Sequence, residues 1–118
     1  MIANLLNSLP NTQDAERFED ILKVPGCRVE RIVSFGQTSP ADFWYDQSWD
    51  EWVLVLSGEA LLQLEDRSEP VRLLAGDHLL IPARLRHRVA FTSPDEPTIW
   101  LALHIGETSS EATADVQT

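Results

Sequence analysis

From Cys27 to Ile105 the chain is cut into short apolar runs by turn residues, and this punctuation restricts its fold more than any other feature. Residues 28–35 are rich in β-branched side chains and close at Gly36. Residues 42–47 are aromatic, 51–57 end at Gly58-Glu59, and 60–65 end in the polar turn Asp66-Arg67-Ser68-Glu69-Pro70. Four more runs follow at 71–74, 78–81, 87–92 and 98–105, divided by Ala75-Gly76-Asp77, a loop from Pro82 to Arg86 and a proline-marked turn at 93–97. About eight short strands, with no helical stretch among them, predict an all-β fold: an antiparallel sandwich or small barrel. The last run is apolar almost throughout, which predicts burial on both faces.

The segment before Cys27 reads differently. Ala15, Phe18, Ile21 and Leu22 form an apolar stripe at helical spacing. Asn11 or Thr12 can cap it, and Asp14, Glu16 and Glu19 suit the positive end of a helix. Pro25-Gly26 ends the stripe. The reading is an N-terminal arm with a short helix over 1–26, a β-domain over 27–105 and a disordered acidic tail over 106–118, where little can be buried.

At 118 residues the chain has the length of one domain. A net charge of −10 opposes nucleic acid and anionic membrane alike. No apolar run is long enough to span a bilayer, and the N-terminus lacks the basic start and apolar core of a secretory signal. Cys27 is the sole cysteine, so an internal disulfide and a CxxC zinc site are excluded. The expectation is a cytoplasmic protein.

Chemistry concentrates in Phe43-Trp-Tyr-Asp-Gln-Ser-Trp-Asp-Glu-Trp52. Tyr45, Gln47 and Glu51 are all odd-numbered, and residues two apart share a face of an extended chain. The three can point into one cavity. Val53, Val55 and Ser57 should share that inward face. Trp52, Leu54 and Leu56 then face outward, as an apolar stripe to be covered by the N-terminal segment or by a second copy of the chain. Val89 and Phe91 should follow His87 inward, with Arg86 and Arg88 outside. Trp100, Ala102 and His104 share a face, so Trp100 and His104 join the pocket if it points inward. His78, just after a turn, reads as a surface residue, and Cys27 as a small apolar one.

The same residues resemble the motifs of the cupin superfamily. The first, G-x₅-H-x-H-x₃₋₄-E-x₆-G, is met by Glu51 and Gly58, with Ser39 at the leading glycine and Tyr45 and Gln47 at the two histidines. The second, G-x₅-P-x-G-x₂-H-x₃-N, is met by Gly76, Pro82 and His87, with Arg84 at the glycine and Phe91 at the asparagine. The resemblance implies a jelly-roll barrel, often a homodimer. In many members it also implies a divalent metal held by the two histidines, the glutamate and the second-motif histidine. Carried over, that leaves Gln47, Glu51 and His87 as candidate ligands for iron, manganese, nickel or zinc. Tyr45 could join them only as a phenolate.

Three functions follow from the resemblance. The chain could bind a small organic molecule among Tyr45, Gln47, Glu51, His87, Trp100 and His104 without a tightly held metal. It could be a metal-dependent dioxygenase, isomerase or lyase. It could be a structural or partner-binding domain whose pocket is vestigial. Fold alone does not choose among them.

Overall fold

Pro25 and Gly26 decide how the fold begins. Proline presets the first central position of a tight turn, and Gly26 takes the second at φ 82°, a left-handed value that suits glycine. The chain therefore reverses, and β1 (Arg17–Val24) pairs antiparallel with β2 (Cys27–Ser34). The computed structural model describes residues 2–10 and 14–107. The helix expected around Ala15, Phe18, Ile21 and Leu22 is a strand instead. Its three-residue apolar spacing is also met by a strand with a bulge, and the register shifts between Asp20 and Leu22. That strand buries no stripe: it is exposed along its whole length. The expected cap at Asn11 or Thr12 lies outside the described residues, as does the expected tail beyond Glu107.

Six further strands are β3 (Asp50–Ser57), β4 (Glu59–Leu64), β5 (Val71–Leu74), β6 (His78–Ile81), β7 (His87–Thr92) and β8 (Thr98–Ile105). One antiparallel sheet has the order β1-β2-β8-β3-β6 and the other β5-β4-β7. Val53, Val55, Ile81, Trp100 and Ala102 from the first sheet meet Ala60, Leu62, Leu64 and Leu73 from the second in a single apolar cluster. On the far side of the larger sheet, register aligns Leu22, Val29, Leu103, Trp52 and Leu80 across all five strands. This is the outward stripe anticipated from Trp52 and Leu54. Leu101 and Leu103 are only half-buried, so the last strand is less enclosed than its composition suggested. Nearby, Arg31 donates to the carbonyls of Leu5, Asn7 and Ser8, pinning part of the N-terminal segment against β2. No helix among the described residues is long and apolar enough to cross a membrane.

Two local readings change. Residues 42–47 do not form a strand: the backbone turns through Phe43 N–H to Pro40 carbonyl (3.1 Å) and a left-handed Asp42 at φ 66°. Only Tyr45 pairs, in an isolated bridge with His87. In β7 the pairing jumps from Leu61–Phe91 to Leu62–Val89, which leaves Ala90 as an extra residue. His87 and Val89 face inward as expected, but the bulge turns Phe91 away and buries Thr92 in its place.

Two motif positions have left-handed backbone. Gly58, at φ 93°, lies so close to the chain opposite that an added Cβ would stand 2.5 Å from Thr98 Oγ1 and 2.6 Å from Thr98 Cα. Arg84, at the position where the second cupin motif has glycine, is held at φ 69°.

Candidate functional site

The inner faces of the two sheets enclose a cavity of about 370 Å³. Strand alternation delivers its walls. Glu51 and Val53 come from β3, Trp100 and His104 from β8, and His87 and Val89 from β7. The loop before β3 brings Tyr45 and Gln47 to the same space. All six pocket residues expected from the sequence therefore line one cavity, although Tyr45 and Gln47 reach it from a loop.

Glu51 and His87 are both buried, at 7% and 5% exposure, and their nearest polar atoms, Glu51 Oε1 and His87 Nε2, are 3.6 Å apart. That is too long for a direct hydrogen bond. His87 Nδ1 lies 3.1 Å from the Leu85 carbonyl, an acceptor, so Nδ1 carries a proton. Nε2 is the nitrogen left to face the cavity and Glu51. The imidazole also stacks on Tyr45, with ring centres 5.3 Å apart. Burial alone would push the Glu51 carboxyl up. His87, the charge of His104 and the nearby Gln47 amide outweigh it and hold the group below the usual carboxylate range. Gln47 is itself 4% exposed, and its amide nitrogen has no hydrogen-bond partner. A buried donor in that condition is costly unless a bound molecule or water satisfies it.

A second polar group sits beside the first. His104 Nε2 lies 3.0 Å from Glu30 Oε1, while Trp49 Nε1 donates to His104 Nδ1 at 2.9 Å. Burial pushes the His104 pKa down, but the Glu30 hydrogen bond and the charge of Glu51 push it up and prevail. Glu30 in turn faces Arg28 at 3.4 Å. Arg28 also reaches Asp20 at 3.0 Å and grips Glu107 with a two-pronged contact at 2.7 and 3.1 Å. Near the same wall, Glu16 accepts from the Ser34 hydroxyl, and burial raises its pKa against that bond. Sequence reasoning missed this charged wall because Glu16 and Asp20 were assigned to a helix. The available signal was the alternation of Arg28, Glu30, Ile32 and Ser34 in β2, which places all four on one face.

The remaining named residues sit where exposure allows. His78 is exposed and accepts from Trp52 Nε1 at 3.2 Å. Arg86 lies over the Trp44 ring, 5.5 Å from its centre, and Arg88 donates to the Ser39 carbonyl at 3.0 Å. Cys27 is half-buried.

A divalent metal would have Glu51, His87 Nε2 and the Gln47 amide oxygen as its donors. Among the described residues no group of three or more His, Cys, Asp or Glu side chains is placed to hold a metal ion. One imidazole, one carboxylate and a weak amide oxygen form a poor set for zinc or nickel, which favour nitrogen and sulfur. The residues present are a poor fit for a tightly held zinc or nickel ion.

Several comparisons bear on the architecture. A crystal structure of a provisionally assigned mannose-6-phosphate isomerase from Ralstonia eutropha JMP134 is 44% identical, with a TM-score of 0.86 over 91% of this chain and 99% of that one. A cupin superfamily protein from Desulfitobacterium hafniense DCB-2 shares the fold at 15% identity and a TM-score of 0.68, over 84% of each chain. A protein from Thermus thermophilus does so at 16% identity and 0.74, over 91% of this chain and 98% of that one. No protein of curated function matches the sequence significantly. Residues 33–104, which hold both motifs, match the Cupin domain family, and the chain belongs to the cupins.

Proposed function

We propose that this cupin binds a small organic molecule in the cavity between its sheets and holds it with Glu51, Gln47, Tyr45 and His87, without a tightly bound metal. The observation that carries the reading is the open polar centre. Glu51 and His87 face each other across 3.6 Å without a direct bond, and the buried Gln47 amide nitrogen beside them has no partner. The apolar side chains Val53, Leu62, Ile81 and Val89 surround this centre and can take the carbon body of a ligand. A metabolite screen by thermal shift, with and without added divalent metal, tests it. A ligand that binds the native fold raises the melting temperature by mass action. The expected hit stabilises the wild type without metal and loses its effect in Glu51→Gln. Hits that all require metal would sink the proposal.

A second reading, a proton-transferring isomerase, is favoured by the 44% identity to the provisionally assigned mannose-6-phosphate isomerase. In that reading ionised Glu51 takes a proton from a carbon beside a carbonyl and returns it to the neighbouring carbon. Tyr45 gives its phenolic proton to the carbonyl oxygen, and the hydroxyl on the first carbon returns a proton to the phenolate as its own oxygen becomes the new carbonyl. Solvent deuterium entering the ligand's carbon skeleton, and absent with Glu51→Gln, is the result that supports it.

A further inference from the structure

The cavity wall is rich in charge, and its balance is uneven. Glu16, Asp20, Glu30 and Glu51 line it against Lys23 and Arg28. The guanidinium of Arg28 is already committed to Asp20, Glu30 and Glu107, so it offers no free fork to an incoming anion. His104 has both ring nitrogens engaged, Nδ1 by the Trp49 indole at 2.9 Å and Nε2 by Glu30 at 3.0 Å, so it offers no free donor to an anion either. A phosphate brought into this space would face ionised Glu51 with Arg28 already paired, leaving the exposed Lys23 of β1 to offset the repulsion from the cavity's outer wall. An ammonium group meets the opposite situation. A buried carboxylate can accept two or more of its hydrogen bonds, and bonds between charged partners are the strong ones.

A second observation points to the rest of the ligand. The Gln47 amide, close enough to help hold the Glu51 carboxyl down, still leaves its buried nitrogen without a hydrogen bond of normal geometry at the same polar centre. A donor is satisfied by an acceptor, and a neutral oxygen provides one without adding negative charge beside the carboxylates. The carbon chain between the two groups can rest on Val53, Leu62, Ile81 and Val89.

We infer that the cavity selects a small organic amine that also carries a neutral oxygen, an amino alcohol or amino carbonyl compound, over a sugar phosphate or other phosphorylated molecule. Its ammonium group pairs with Glu51, and its oxygen accepts from Gln47. The inference rests on the cavity being the ligand site proposed above, and it assigns the chemical class of what enters.

Three probes of one size separate the possibilities: 4-amino-1-butanol, neutral 1,4-butanediol and 4-hydroxybutyl phosphate. Each is titrated into the ¹⁵N-labelled full chain at constant ionic strength, and the amide resonances of Gln47, Glu51, His87 and Val53 are followed. The amino alcohol is expected to move them and to bind about tenfold or more tightly than the diol, with the phosphate weaker than either. Glu51→Gln, near in shape, should bring amine and diol to similar affinity. Gln47→Leu should weaken the amino alcohol while leaving butylamine, which lacks the oxygen, unaffected. Resonance dispersion in each variant shows that it has folded. If diol or phosphate binds the wild type more tightly than the amine, the inference falls and the cavity survives as the ligand site. If no probe moves those resonances, both readings fail.

Discussion

The indole of Trp49 donates its N–H to Nδ1 of His104 at 2.9 Å, across 55 residues of sequence. An indole nitrogen can only donate, so this bond requires a lone pair on Nδ1. Charging His104 places a proton there and gives up the bond. Trp49→Phe removes that opposition while Glu30 and Glu51 still favour the charged ring. The His104 titration midpoint, followed by NMR of the ring carbons, is expected to rise in the variant. The fold should lose about 1–3 kcal/mol for the truncated buried ring. An unmoved midpoint would show that the indole bond does not control the histidine.

Among the shifted groups His104 and Glu51 set the two limbs of a stability window, and Glu16, raised above 4.5, draws its maximum toward the acid end. His104 is raised above 6.5, so its contribution is complete below that value and is lost as pH rises through the folded-state pKa. Glu51 is lowered below 4.5, so its contribution is complete above that value and is lost as pH falls through its folded-state pKa. Urea denaturation across pH is therefore expected to place the maximum between 4.5 and 6.5. Glu51→Gln should flatten the acid limb, and His104→Gln the alkaline one.

Gly58 and Gly76 should respond differently to the same change. Both have left-handed φ, at 93° and 91°, so alanine strains either one. An added Cβ at Gly76 meets nothing within 4 Å, whereas at Gly58 it strikes the backbone of Thr98 and Pro97. Gly76→Ala is expected to cost about 1–2 kcal/mol from conformation alone. Gly58→Ala should cost about 3 kcal/mol or more, because the closure of β3 against β8 must also shift. Equal losses in denaturant melts would refute the close-approach account.

Restoring histidine at two positions tests the donor-set argument. Tyr45, Gln47, Glu51 and His87 line one cavity, so Tyr45→His with Gln47→His rebuilds the three-histidine, one-glutamate set of the cupin motif. The double variant is expected to retain stoichiometric zinc or nickel after desalting, with affinity about a hundredfold or more above the wild type. Elemental analysis reads the result. A wild type that already retains a full equivalent would show that the amide and carboxylate suffice.

The sequence was most legible where turn chemistry and strand period agreed. Gly58, Gly76 and Pro82 bracket strands whose inward residues alternate as read, and that alternation brings Glu51, His87, Trp100 and His104 to the cavity wall. It was least legible where one pattern had two solutions. Ala15, Phe18, Ile21 and Leu22 satisfy a helix or a bulged strand, and only pairing with β2 selects the strand. The Ala90 bulge exchanged Phe91 for Thr92 without any local sign. The misread first strand also hid the carboxylate wall. Alternation reveals a shared face only after the strand itself is recognised.

Arg84 shows how a motif outlasts its letters. Where the cupin pattern has glycine, this chain has a bulky cation, yet the backbone stays at φ 69°, and Arg84 N–H donates to the Gln47 carbonyl at 2.6 Å. Left-handed backbone costs a side-chain-bearing residue on the order of 1–2 kcal/mol, and here the surrounding loop sustains it. The loop thus imposes on arginine a torsion that glycine would take without strain. Residue identity at such a position understates how firmly its backbone is held.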